Sequence, residues 1–124
     1  MQDIPDTMDT QSSTAYDAVI VGGGMVGAAA AVGLGQLGLK IAVIEARAPQ
    51  DYDPLQPLDV RVSAISVASE QLLMRLGAME ALLTMRHAPY TGLETWEMDG
   101  CLTSFTAEQV GQARLGYFFE NRLI

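Results

Sequence analysis

The chain has 124 residues, 49% hydrophobic and 18% charged, a composition that belongs to a globular domain and excludes disordered and collagen-like chains. Fifteen acidic residues against seven basic ones leave a formal charge of −8, which excludes an electrostatic grip on nucleic acid and a purely electrostatic hold on an anionic bilayer. The single cysteine, Cys101, rules out an internal disulfide framework and points to a reducing, cytoplasmic compartment; with His87 as the one histidine, no metal cluster is expected.

Residues 1–15 are rich in Asp, Gln, Ser and Thr with few apolar anchors. They bury too little to offset the entropy of ordering and read as a flexible tail. No basic residue precedes Lys40, so a signal-peptide n-region is absent. Residues 18–39 carry no charge and could cross a bilayer by length. Seven of them are glycine and large apolar residues are sparse, so the stretch reads as soluble structure.

Residues 16–21 (YDAVIV) form a short β-branched run ending in Gly22-Gly23-Gly24, as a buried strand feeding a tight turn would. Residues 25–37 then predict a helix, with Met25, Ala29, Val32 and Leu37 offering one apolar face and Gly38 a left-handed stop. Residues 40–45 (KIAVIE) are a second strand. Strand, helix and strand within about thirty residues make a βαβ unit with parallel strands and a right-handed crossover.

Residues 46–60 hold Pro49, Pro54 and Pro57 among aspartates and read as a loop whose length implies a task. Ser66 caps a predicted helix over 67–76, with Leu72, Leu73 and Leu76 as its stripe and Gly77 as its end. A shorter helix with Met79, Leu82 and Leu83 follows, closed off by Pro89. Residues 93–98 and 101–106, joined around Asp99-Gly100, predict a β-hairpin. Residues 115–119 predict another strand, and a helix is expected to open at Glu120.

The chemistry lies in Gly22-x-Gly24-x-x-Gly27, which follows a predicted strand and opens a predicted helix. Gly22 permits the turn, Gly24 lets the main chain approach a pyrophosphate that a Cβ would obstruct, and Gly27 lets the helix lie close to the strand. The helix N-terminus offers unpaired N–H groups and a partial positive charge to phosphates. Ala31, Gly38 and Glu45 extend the pattern. A carboxylate at Glu45, at the end of the second strand, accepts from both ribose hydroxyls and repels a 2′-phosphate, so the nucleotide is FAD or NAD and not NADP.

Beyond the glycines, the chain resembles the flavoprotein aromatic hydroxylases of the glutathione-reductase-like FAD fold, and more narrowly their ubiquinone-biosynthesis branch. Four stretches carry the resemblance: YDAVIVGGGMVGAAAAVGLGQLG at 16–38, DVRVSAIS at 59–66, PYTGLETWE at 89–97 and LGYFFENRLI at 115–124. It implies an α/β protein, the N-terminal part of a Rossmann-like FAD-binding fold with the first strands of a substrate-domain sheet. Residues 16–88 would be the first part of the FAD-binding domain, 89–119 the start of the substrate sheet and 120–124 a return to the FAD domain.

The same resemblance makes Glu45 and Arg47 contacts to the adenosine ribose. Arg61 becomes a contact on the flavin side of the pyrophosphate, and Arg122 a further FAD-contacting arginine. From the sequence alone both Arg61 and Arg122 read as solvated surface charges. The implied activity is FAD-dependent monooxygenation of a prenylated benzoquinol or phenol, with NAD(P)H as reductant and O2 as co-substrate. An apolar substrate also implies contact with the inner-membrane surface or a ubiquinone-biosynthesis complex.

Members of this group are several times longer, so the chain is expected to be an N-terminal fragment, aggregation-prone and inactive alone because two parallel strands leave both sheet edges open. Two rival readings stand beside this one: another FAD-fold oxidoreductase, such as an amine oxidase, and a non-catalytic truncated nucleotide-binding module. The 59–66 and 89–97 stretches count against the amine oxidase. His87 reads as solvated or locally bonded, Trp96 and Met98 as core packing, and Cys101 as a small hydrophobe. Glu94 and Glu97 fall on opposite strand faces, so no catalytic residue is assigned.

Overall fold

The computed structural model describes residues 15–98 and 100–124. The expected tail therefore lies almost entirely outside the described residues, as does Asp99 of the expected hairpin turn. The described chain is mixed α/β. Its first unit is β1 (Ala18–Val21), helix α1 (Met25–Gln36) and β2 (Ile41–Ile44), with β1 and β2 parallel in the register Ala18↔Ile41 to Val21↔Ile44. Asp17 closes the open end of the pair: its N–H donates to the Lys40 carbonyl at 2.8 Å and its carboxylate accepts the Lys40 N–H at 2.7 Å. Gly38, at φ 84°, stops α1 as the sequence indicates.

The face that α1 turns inward differs from the expected one. Leu37 is 77% exposed, and Met25 and Val32 are exposed as well. Gly27, Ala28, Ala29, Ala31, Gly33 and Leu34 are the half-buried positions, so of the expected face only Ala29 turns inward. Small residues at 27, 28 and 31 let the helix axis approach the strands, and close approach decides the facing more than side-chain size does. A Cβ on Gly33 would touch Leu76 at 3.5 Å, marking where α1 meets the next helix.

Three further strands make the second sheet, in the order β3 (Val62–Ser66), β7 (Gly116–Glu120), β4 (His87–Tyr90), all antiparallel. β3 was not expected as a strand. Only Val62 and Ile65 of its five residues are large and apolar, so its β signal is weak. Pro89 falls inside β4 and does not precede it; an edge strand tolerates the missing N–H. Residues 89–119 do not form one sheet: β7 joins β3 and β4, while β5 (Gly92–Trp96) and β6 (Leu102–Thr106) pair only with each other. A 3-10 turn over Asn121–Leu123 takes the place of the helix expected at Glu120.

Helices α2 (Val67–Leu76) and α3 (Met79–Thr84) cover the three-stranded sheet. Ser66 caps α2 by accepting the Ser69 N–H, and Gly77 ends it at φ 79°, both as the sequence dictates. The core is Phe119, Met79 and Leu82, wrapped by Ile65, Leu73, Tyr117, Leu123 and Ile124. Trp96 is 74% exposed and Met98 wholly so, which corrects the expectation that they pack in a core. They sit on or beside a two-stranded ribbon that no other described element covers. Cys101 is likewise exposed. Among the described residues no helix is long and apolar enough to cross a membrane.

Glu70, on the first turn of α2, is 3% exposed and paired with Arg114, whose guanidinium lies 4.6 Å from the Tyr117 ring centroid. Replacing Glu70 by alanine strands that arginine against the sheet, although part of its side chain still reaches water. The expected loss is about 2 kcal/mol. A denaturant midpoint measured on the intact gene product checks it, and an unchanged midpoint would show the pair to be idle.

Candidate functional site

The carboxyl ends of parallel β1 and β2 open into a crevice, where ligands of open α/β sheets bind. Gly22 turns the chain there at φ 100°, and its N–H donates to the Ile44 carbonyl at 2.8 Å, binding the loop to the second strand. Gly27 sits behind the loop: a Cβ there would be driven into the Gly22 carbonyl oxygen and lie 3.3 Å from Ile20 Cγ2. Gly24 differs from both. It precedes α1 at φ −66° and ψ 179°, and a Cβ on it would meet nothing within 4 Å. Its α-carbon borders open cleft.

Helix α1 starts without a side-chain cap on Gly24 and without an acidic residue in its first turn. The N–H groups of that turn keep their donors, and the helix dipole favours an anion in front of them. Across from them stands Glu45. One of its oxygens accepts the Gly23 N–H at 2.6 Å and the other the Arg47 N–H at 3.0 Å. One amide of the glycine loop is thus taken by the carboxylate, which leaves further lone pairs on both oxygens for other donors. A Cβ on Gly23 would lie 3.2 Å from Glu45 Cβ, so the middle glycine of the run, given no role from sequence, makes room for this contact.

The Gly23 N–H above all, and then that of Arg47, hold the Glu45 carboxyl below the usual carboxylate range, against the opposing cost of burial. A lowered value means the charged form is the one the fold favours. What Glu45 contributes to stability is therefore fully present above the ordinary carboxylate pKa and disappears as pH falls through the lowered one.

The crevice continues as a cleft of about 490 Å³, bounded by Gly23, Gly24 and Met25, by residues 47–52, and by Gln56, Met85 and residues 121–124. Among the residues singled out from sequence, Gly24, Glu45, Arg47 and Arg122 border it, and Gly22 and Gly27 shape it from behind. Arg61 stands apart: it is exposed and absent from the cleft wall, while its main chain is held by Asp59 and Asn121. The Arg122 guanidinium is engaged by Glu120, at 2.9 Å through Nε, and by the Pro57 carbonyl.

Sequence reasoning missed Glu120 and Arg86. Glu120 is 4% exposed, accepts the Asp59 N–H at 2.9 Å and faces Arg86 Nε at 3.1 Å. The Asp59 N–H first, then the Arg122 hydrogen bond and the charges of Arg122 and Arg86, hold its carboxyl low against the cost of burial. The only sequence signal was the acid-base pair Glu120 and Arg122 on a short terminal stretch. His87 is held locally, with Nδ1 2.9 Å from the Met85 carbonyl and its ring 5.4 Å from that of Tyr117.

No protein-family model matches the chain. By sequence it is 46% identical over 105 residues to 3-demethoxyubiquinol 3-hydroxylase of Escherichia coli K12, covering 85% of this chain and 27% of that protein. It is 38% identical over 128 residues to the mitochondrial ubiquinone biosynthesis monooxygenase COQ6 of Danio rerio, covering 94% and 26%. Ubiquinone hydroxylase UbiL of Rhodospirillum rubrum is 32% identical over 108 residues, covering 87% and 25%. In fold the chain resembles p-nitrophenol 4-monooxygenase PnpA of Pseudomonas putida DLL-E4, with a TM-score of 0.58 and 21% identity over 84% of this chain and 26% of that one. The chain thus spans about a quarter of the length of the curated relatives it matches.

Proposed function

We propose that this chain, a homologue of the ubiquinone-biosynthesis hydroxylases, forms the adenosine-diphosphate end of an FAD site in a Rossmann-like fold of the aromatic hydroxylase type. The observation that carries the reading is the uncapped first turn of α1 at Gly24, open to the cleft, with Glu45 fixed opposite it by two main-chain N–H groups. The amides of residues 24–26 would hold the diphosphate, Glu45 and Arg47 the adenosine ribose, and Arg122 a further anionic group of the ligand at the edge of the cleft. Arg61, exposed in this chain, would reach a flavin only from beyond the described cleft.

When bound, the flavin supplies the redox and oxygen chemistry, and the protein's part is to bind, orient and exclude water. The whole protein would then use NAD(P)H and O2 to hydroxylate a prenylated benzoquinol of the 2-octaprenyl-3-methyl-6-methoxy-1,4-benzoquinol type. Such a substrate implies work at the inner-membrane surface or within a ubiquinone-biosynthesis complex. The self-paired β5 and β6 hairpin supports a substrate sheet that starts inside residues 89–119, with 16–88 and 120–124 on the FAD side.

Purification of the intact gene product tests the reading. FAD should remain with the protein at one per chain, and Glu45→Gln should weaken its binding about tenfold, the cost of replacing a charged acceptor by a neutral amide. Binding to the wild type should also fade as pH falls through the lowered Glu45 value and not at neutral pH. A colourless wild-type protein that takes up no added FAD would overturn it.

A further inference from the structure

We infer that Glu120 is a positioning residue whose buried carboxylate clamps the loop at residues 56–59, together with Arg122, into one wall of the cleft. The inference rests on the reading of that cleft as a dinucleotide site. Glu120 ends β7 and is paired across to Val62 of β3, so its main chain is held by the sheet. One carboxylate oxygen accepts from the Asp59 N–H and from Arg122 Nε, each at 2.9 Å, and the other faces Arg86 Nε at 3.1 Å.

Each arginine then reaches the same loop with its far end. Arg86 Nη1 donates to the Gln56 carbonyl at 2.9 Å, and Arg122 donates to the Pro57 carbonyl. A single carboxylate thus orients two planar guanidinium forks, each with one end on Glu120 and one on the loop's main chain. Residues 46–61 contain no helix or strand, so these bonds set the path of the loop where Gln56 meets the cleft. Gln56 and Arg122 border the cleft and Glu120 does not; the carboxylate acts through them. Two guanidinium charges face this one buried carboxylate, and without Glu120 they would repel each other toward solvent.

Trypsin reads the clamp directly, because Arg47 and Arg61 bracket the loop. In the intact gene product, Glu120→Gln should speed cleavage at these two sites about tenfold or more, since a buried charged acceptor for three donors is lost. FAD affinity should fall by a similar factor. Arg86→Gln, which removes the Gln56 anchor and the charge facing Glu120 but keeps the Asp59 and Arg122 bonds, should speed loop cleavage about threefold and carries the test if Glu120→Gln does not fold.

A residue with only a bulk stabilising role would lower the unfolding midpoint and raise cleavage at all sites alike. That result, or wild-type loop cleavage and wild-type FAD affinity in the folded variants, overturns the inference. Absence of FAD from the wild-type protein is a separate failure, that of the dinucleotide reading, and faster loop cleavage in the variants would still establish the clamp.

Discussion

Gly27→Ala is expected to disable the first structural unit before any ligand is considered. The added methyl would be forced into the Gly22 carbonyl oxygen, 3.0 Å from its carbon, and against Ile20 Cγ2 at 3.3 Å. The first obstacle is main chain at the turn between β1 and α1, and it cannot rotate away as a side chain would. The Gly22 N–H is also committed to Ile44 on the other strand, so shifting that turn disturbs the parallel pairing. Overpacking against backbone of this kind costs about 3 kcal/mol or more, on the order of a 10 °C fall in the unfolding midpoint for a chain of this length and proportionately less for a longer one. Calorimetry checks it, and a midpoint within 2 °C of wild type, on the same order-of-magnitude scale, would mean that α1 does not lie this close to β1.

Gly24→Val should do the opposite: spare the fold and remove the ligand. The φ and ψ of Gly24 are open to any L-residue, and a Cβ there has no protein neighbour within 4 Å. The cost to stability should stay within about 1 kcal/mol, that of a poorer residue at the start of a helix. FAD affinity should fall about a hundredfold or more, because the isopropyl group would stand between the first-turn amides and the diphosphate. Circular dichroism and an FAD titration on the same preparation separate the two effects. A well-folded variant with undiminished affinity would show that the diphosphate lies elsewhere. Together the pair splits one motif into a glycine that the fold requires and a glycine that the ligand requires.

Of the three arginines drawn from resemblance, Arg47 and Arg122 border the cleft and Arg61 does not. Arg122 borders the cleft, yet its guanidinium is occupied by Glu120 and Pro57, so any contact with a ligand is made by a side chain already oriented. Arg61 is exposed and absent from the cleft wall, and its main chain is held by Asp59 and Asn121. The side chains of Val19, Val21, Val43 and Ile44 are exposed, so the β1 and β2 pair carries apolar surface.

What could be read directly from the residues was whatever is settled within a few positions of chain. The turn at Gly22, the left-handed stops at Gly38 and Gly77, the Ser66 cap and the βαβ order all depend on local dihedral freedom or on a partner three residues away, and each has the position that its residues imply. Gly27 was legible as the point of close approach, but tertiary structure decided that Met25, Val32 and Leu37 stay exposed while the small residues at 27, 28, 29 and 31 turn toward the strands. It also decided that β3 is a strand, since its weak β propensity is overridden by pairing with a segment more than fifty residues later. The Glu120 cluster follows from that pairing: Asp59, Arg86 and Arg122 meet around one carboxylate only after β3, β4 and β7 are side by side. Hydrogen bonds and ion pairs between groups so distant in sequence leave no local pattern, for they are set by register across a sheet and not by neighbours along the chain.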